Sequence, residues 1–115
     1  MLAIELVRLL RSFKIPCGTE ERMQSEIEKI LKSSGVEFER EFVISARDRI
    51  DFKVGPVGIE CKIDGSPAKV LSQLLRYAED SRIEELILVS SRHTHRFAVS
   101  SLGGKPFTVV RVAWI

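Results

Sequence analysis

The sequence predicts a single-domain α/β protein. Apolar residues recur at helical spacing in three segments, and polar and apolar residues alternate with a period of two between them. The third observation is size: 115 residues supply one core and leave no room for a second module.

Composition narrows the class. With 44% apolar and 30% charged residues the chain is an ordinary globule, neither disordered nor fibrous. The opening Met1-Leu2-Ala3-Ile4-Glu5 lacks the basic start of a signal peptide, and charge interrupts every apolar stretch, so a cytoplasmic protein without a membrane span is expected. Cys17 and Cys61 form no CxxC pair and are expected to be reduced and buried. A net charge of +2 and a pI near 8.7 point to nucleic acid only weakly, so local clusters matter more.

The first amphipathic segment, residues 2–13, places Leu2, Leu6, Leu9, Leu10 and Phe13 on one face. After the break at 14–18, Thr19 is an N-cap followed by Glu20 and Glu21, which suit the positive end of a helix over 20–33. Residues 38–45 favour a strand, 49–54 alternate strictly, Gly55-Pro56-Val57-Gly58 signals a turn, and alternation resumes over 59–63. Ser66-Pro67 opens a third helix to about residue 80, with Val70, Leu71, Leu74, Leu75 and Ala78 inward and Lys69, Gln73, Arg76 and Tyr77 on the other side. A buried strand over 85–90 follows. Residues 92–102 have no decisive pattern, a short helix being one option, and the last strand is expected over 107–114.

The hairpin gathers the chemistry. A four-residue turn at 55–58 sets Val54 against Ile59, Phe52 against Cys61 and Ile50 against Ile63 on one apolar face. On the other face Asp51 then meets Lys62, and Lys53 meets Glu60. Two explanations fit. A ladder of solvated ion pairs contributes little to stability. Alternatively, an Asp on one strand and Glu-x-Lys on the next place oxygen ligands for a hard divalent cation beside an ammonium group. Such a cation neutralises phosphate charge and lowers the pKa of bound water, while Lys62 orients that water or stabilises developing charge. Of the acidic residues on the second helix, Glu20 lies nearest the centre of its buried face; it either reaches the metal or serves the helix dipole. Gln73 and Tyr77, at i and i+4, are either part of a solvated face or a functional one, with Gln73 offered to water or phosphate and Arg76 to the nucleic-acid backbone.

Asp51, the Glu60-Cys61-Lys62 triplet and the run Gln73-Leu74-Leu75-Arg76-Tyr77, in that order, resemble the PD-(D/E)XK nuclease superfamily, the last run resembling the QxxxY motif of its RecB-like members. The likeness spans roughly residues 19–91, leaving 1–14 as an extra N-terminal helix. It implies a restriction-endonuclease-like αβββαβ core with a mixed central sheet flanked by helices, and Mg²⁺-dependent hydrolysis of the DNA backbone, with Mn²⁺ able to substitute. It also implies that Asp51 and Glu60 bind metal together with the Cys61 carbonyl, that Lys62 serves catalysis, and that Glu20 assists. Ile50 stands where the namesake proline would be, which removes no ligand. The Glu20-Glu21-Arg22-Met23-Gln24 stretch and the small size also resemble stand-alone VRR-NUC or Holliday-junction-resolvase-like nucleases.

Arg92-His93-Thr94-His95-Arg96 is the most basic local cluster, and phosphate contact by Arg92, His93 and Arg96 is favoured over metal binding because no third ligand is near. Lys53 and Lys69 join the expected nucleic-acid contacts, as do Arg76 and Tyr77. Gly103-Gly104-Lys105-Pro106 lacks phosphate-loop spacing and is discarded as an ATP site. Phe107 and Trp114 are expected in the core or an interface. The first helix either caps the sheet or packs against a second subunit, so a homodimer fits a branched-DNA cutter with two sites. The expectation is therefore a DNA nuclease selective for structure or ends, its rival a non-catalytic nucleic-acid-binding or assembly module of the same fold.

Overall fold

A computed structural model describes residues 1–113; Trp114 lies outside them. Three helices flank a six-stranded mixed sheet. In chain order the elements are α1 (Ala3–Arg11), α2 (Glu20–Ser33), β1 (Glu39–Val43), β2 (Arg49–Val54), β3 (Val57–Lys62), α3 (Pro67–Ala78), β4 (Glu85–Ser90), β5 (Ser101–Leu102) and β6 (Lys105–Arg111). The sheet order is β1-β2-β3-β4-β6-β5. The first three strands are antiparallel, β3, β4 and β6 run parallel, and α3 is the crossover from β3 to β4.

Local chemistry explains the helix ends. Thr19 accepts from the Arg22 N–H at 3.1 Å to cap α2, and Ser66 accepts from the Lys69 N–H at 3.3 Å to cap α3, with Pro67 in the first turn. One face of the sheet is covered by α1 and α2: Leu6, Val7, Leu10, Met23, Ile27, Ile30 and Leu31 pack on Phe52, Ile59, Cys61, Ile87, Val89 and Val110. The other is covered by α3, through Val70, Leu74, Tyr77 and Ala78 against Ile50, Leu86, Leu88 and Phe107. The first helix therefore caps the sheet. Its buried stripe includes Val7, whereas Leu2 and Phe13, expected inward, are exposed because the helix runs only from Ala3 to Arg11 and leaves one before its start and the other past its end.

The hairpin register differs from the expected one. Gly55 and Pro56 alone form the turn, with Val54 opposite Val57, Lys53 opposite Gly58 and Phe52 opposite Ile59. Gly55 has φ +55°, the first position of a two-residue turn that follows the strand twist, and β-branched Val57 and Gly58 join the strand instead of the turn. The shift of two residues keeps faces but changes partners. Gly58 also permits a close approach: a Cβ there would stand 2.5 Å from Ile50 Cδ1. Gly58→Ala is therefore expected to destabilise the fold by about 1–3 kcal/mol, as overpacking does, and urea unfolding measures it.

The segment 91–100 is irregular, not a short helix, and leads into β5. Gly103 and Gly104 form the turn between β5 and β6, and Lys105 Nζ donates to the Asp80 carbonyl at 2.8 Å, which accounts for the glycine-lysine run. Phe107 is in the core. No helix among the described residues is long and apolar enough to cross a membrane.

Candidate active site

The β2–β3 ladder stops after Phe52 and Ile59. At the next step Asp51 faces Glu60, and the two strands are joined through side chains. The Asp51 N–H donates to Glu60 Oε1 at 3.2 Å, and the Cys61 N–H donates to Asp51 Oδ2 at 2.7 Å. Two backbone donors at the opening are thus each satisfied by a carboxyl group from the opposite strand. The alternation of β2 changes at the same point: Phe52 and Val54 face α1 and α2, while Ile50, expected beside them, joins the cluster under α3. In β1 the pairing to β2 passes over Glu41 and Asp51, and Glu41 has φ +46°, a conformation costing a non-glycine residue roughly 1–2 kcal/mol.

Glu60 is held from every side. It is 3% exposed; Lys62 Nζ lies 3.4 Å from its Oε2 and Tyr77 Oη lies 3.3 Å from the same atom. The Tyr77 hydroxyl donates to the Arg49 carbonyl at 2.8 Å. Burial raises the Glu60 pKa from 4.5 to about 8, the Asp51 charge adds to the rise, and Lys62 opposes it. Burial raises Asp51 as well, opposed by the Cys61 N–H, the hydrogen bond to Glu60, Lys62 and Arg40. Two negative charges so close and so desolvated are unfavourable, so the pair holds a proton more readily than either acid would in water. Glu20 is raised by burial too, opposed by the Lys62 ammonium and reinforced by the Asp51 and Asp64 charges. Lys62 keeps 20% of its side chain in solvent, so its ammonium lies between the buried pair and the surface.

A donor set of buried carboxyl oxygens suits a hard divalent cation, which would supply a counter-charge to both acids. Asp51 and Glu60 supply it, with the Cys61 carbonyl next in the chain. Among the described residues no three His, Cys, Asp or Glu side chains gather closely enough to hold an ion. Glu20 therefore stands near the pair without completing a three-acid cluster.

Other expected site residues are placed differently. Lys53 faces Gly58 instead of Glu60, and its ammonium lies 4.9 Å from the Phe42 ring centroid. Tyr77 is fully buried, since the inner face of α3 is rotated toward it and away from Leu75, which is 40% exposed. The Tyr77 hydroxyl is turned to the Arg49 carbonyl and Glu60, inside the fold. Arg76 grips buried Asp48 with two bonds, Nε to Oδ2 at 3.0 Å and Nη2 to Oδ1 at 3.2 Å, so its guanidinium is committed within the fold. Gln73 is half-buried one turn before Tyr77 and has no hydrogen-bond partner among the described residues. Lys69, Arg92, His93 and Arg96 are exposed. Cys61 is buried, its thiol raised by burial and then by the surrounding carboxylates; Cys17, expected to be buried, is only half-buried.

Sequence patterns missed Asp48, Ser90 and His95. All three are buried polar groups in stretches whose composition reads as exposed loop or apolar strand. Comparison of the chain with known protein families, with curated proteins and with solved structures finds no match.

Proposed function

We propose that the protein is a metal-dependent DNA nuclease with a restriction-endonuclease-like fold, similar to the PD-(D/E)XK class. One observation carries this reading: Asp51 and Glu60 form a desolvated carboxyl pair with Lys62 beside it, at the point where the β2–β3 ladder opens. A solvated ladder of ion pairs would leave these acids in water and their backbone donors on the opposite strand.

Asp51 and Glu60 would hold Mg²⁺ or Mn²⁺ with the Cys61 carbonyl. When bound, the cation supplies charge neutralisation at the scissile phosphate and a more acidic attacking water. Lys62 Nζ orients that water or stabilises charge developing on the phosphate oxygens. Tyr77, tied to the Arg49 carbonyl, fixes the rotamer of Glu60. The exposed side chains of Arg92, His93, Arg96 and Lys69 take backbone phosphates, which favours recognition of DNA shape over base sequence. A non-catalytic DNA-binding module is the second reading, supported by the lack of a three-acid cluster among the described residues.

The test is cleavage of linear, flapped and four-way-junction DNA in Mg²⁺, Mn²⁺ or EDTA. Metal-dependent cutting is expected, falling about 100- to 1,000-fold in Lys62→Ala and to background in Glu60→Ala. DNA binding without cutting under every metal condition would select the non-catalytic module.

A further inference from the structure

The loop that carries the exposed cations is pinned by a buried histidine. His95 is 0% exposed. Its Nε2 lies 2.7 Å from the Gly65 carbonyl and its Nδ1 lies 2.6 Å from Ser90 Oγ. A carbonyl only accepts, so Nε2 carries the proton; Nδ1 then accepts from the Ser90 hydroxyl. Ser90 Oγ in turn accepts the Arg92 N–H at 3.1 Å. The three bonds run in series from the Arg92 backbone to the turn before α3.

Two further contacts hold the same loop. Arg111, on β6, donates from Nη1 to the Arg92 carbonyl at 2.7 Å and from Nη2 to the His95 carbonyl at 3.1 Å. The Phe97 ring stacks on the imidazole, centroids 6.3 Å apart, and packs against Phe107. Between these anchors the Arg92, His93 and Arg96 side chains remain exposed.

The pinned loop begins beside the carboxyl pair. Ser90 is the β4 partner of Lys62, and the Ser91 N–H donates to the Lys62 carbonyl at 3.2 Å. Arg92 Nη1 is 3.8 Å from Asp64 Oδ1, in the turn that His95 also grips through Gly65. The cations thus stand at the carboxyl ends of parallel strands β3 and β4, where ligands of open α/β sheets bind.

We propose that His95 is a positioning residue for substrate: by joining Ser90 to Gly65 it fixes the 92–96 loop so that Arg92 and Arg96 take nucleic-acid phosphates on the Lys62 side of the site. This rests on the nuclease reading. Holding a flexible cationic loop in place before binding removes an ordering cost from the complex.

Duplex DNA binding is measured in EDTA across a NaCl series for wild type, His95→Ala, His95→Gln, Arg92→Ala/Arg96→Ala and the triple variant with His95→Ala. The slope of log Kd against log salt counts phosphate contacts at about 0.9 each. His95→Ala is expected to weaken binding about 10-fold and to flatten the slope by roughly two contacts, matching the double arginine variant, and to add nothing in the triple variant. His95→Gln, whose amide reaches the Gly65 carbonyl but not Ser90 as well, is expected to fall between, and carries the same comparison if His95→Ala does not fold. Additive loss in the triple variant, or a lower melting temperature with an unchanged slope, would overturn the proposal and leave His95 a packing residue. Wild type that cuts DNA while the His95 variants bind normally overturns this inference alone; wild type without DNA affinity overturns the nuclease reading with it.

Discussion

In EDTA at pH 8, Glu60→Gln is expected to be more thermostable than the wild type, and in Mg²⁺ it is expected to lose cleavage altogether. The folded state holds the Glu60 proton more tightly than the unfolded chain does, the pKa rising from 4.5 to about 8 on folding. The stability linked to that proton is therefore complete below about pH 4.5 and is lost as pH climbs through about 8. Glutamine never ionises, so the gap between variant and wild type opens over that range, on the order of a few kcal/mol, with Asp51 taking part in the same titration. The amide oxygen still accepts the Asp51 N–H, and Lys62 is exposed enough to turn its ammonium to water. Thermal melts at pH 5 and pH 8 measure the difference. Equal stability at both would mean that Glu60 ionises at no cost, and the buried pair would no longer indicate a cation site. Adding Mg²⁺ at pH 8 is expected to raise the melting temperature of the wild type and leave the variant nearly unchanged.

The second large effect is at Tyr77. Tyr77→Ala is expected to cost about 3–5 kcal/mol, since it empties a fully buried aromatic site under the sheet. Tyr77→Phe separates packing from positioning. It retains the ring but strips the Arg49 carbonyl and Glu60 Oε2 of their shared partner, at a cost of about 1–3 kcal/mol. Because Glu60 then loses one of the contacts that fix its rotamer, kcat is expected to drop about 10-fold with KM for DNA little changed. Unfolding curves and steady-state kinetics on the same preparations check both. Full activity in Tyr77→Phe would reduce the hydroxyl to a support for Arg49.

Much of the architecture was written in local patterns. The bounds of α2, β2 and β4 follow from Thr19 as a cap, from strict alternation and from an apolar run, each a signal complete within one element. Errors arose where two elements decide together. Tyr77 was placed outside because its hydroxyl counts as polar in a helical wheel; only β2 and β3 supply the Arg49 carbonyl and Glu60 that let it be buried. The hairpin partners were displaced by two because Gly55-Pro56-Val57-Gly58 satisfies both a four-residue turn and a two-residue one, and the space beside Ile50 that favours Gly58 in the strand is a tertiary property. Asp51, Glu60 and Lys62 were named from spacing, yet their burial, which separates a site from a solvated ladder, had no local signature. His95 was hidden for the opposite reason: its neighbours Arg92, His93 and Arg96 are solvent-facing, and nothing in the cluster distinguishes the one imidazole that turns inward.

The strand order has a kinetic implication. Among the described residues, the side chains around the carboxyl pair come, apart from Glu20 and Arg40, from the continuous stretch between Arg49 and Tyr77, which folds as a hairpin followed by the helix that crosses over it. Loop closures within such a stretch are short, so their entropic toll is small and contacts form early. β6 has no partner in that stretch: it pairs with β4, which itself lies beyond α3, so its insertion, with the pinned loop, is a step outside the hairpin. The chain can thus bring its acidic pair together before the cationic loop is in place, so the buried carboxyls and the exposed arginines belong to separate steps of assembly.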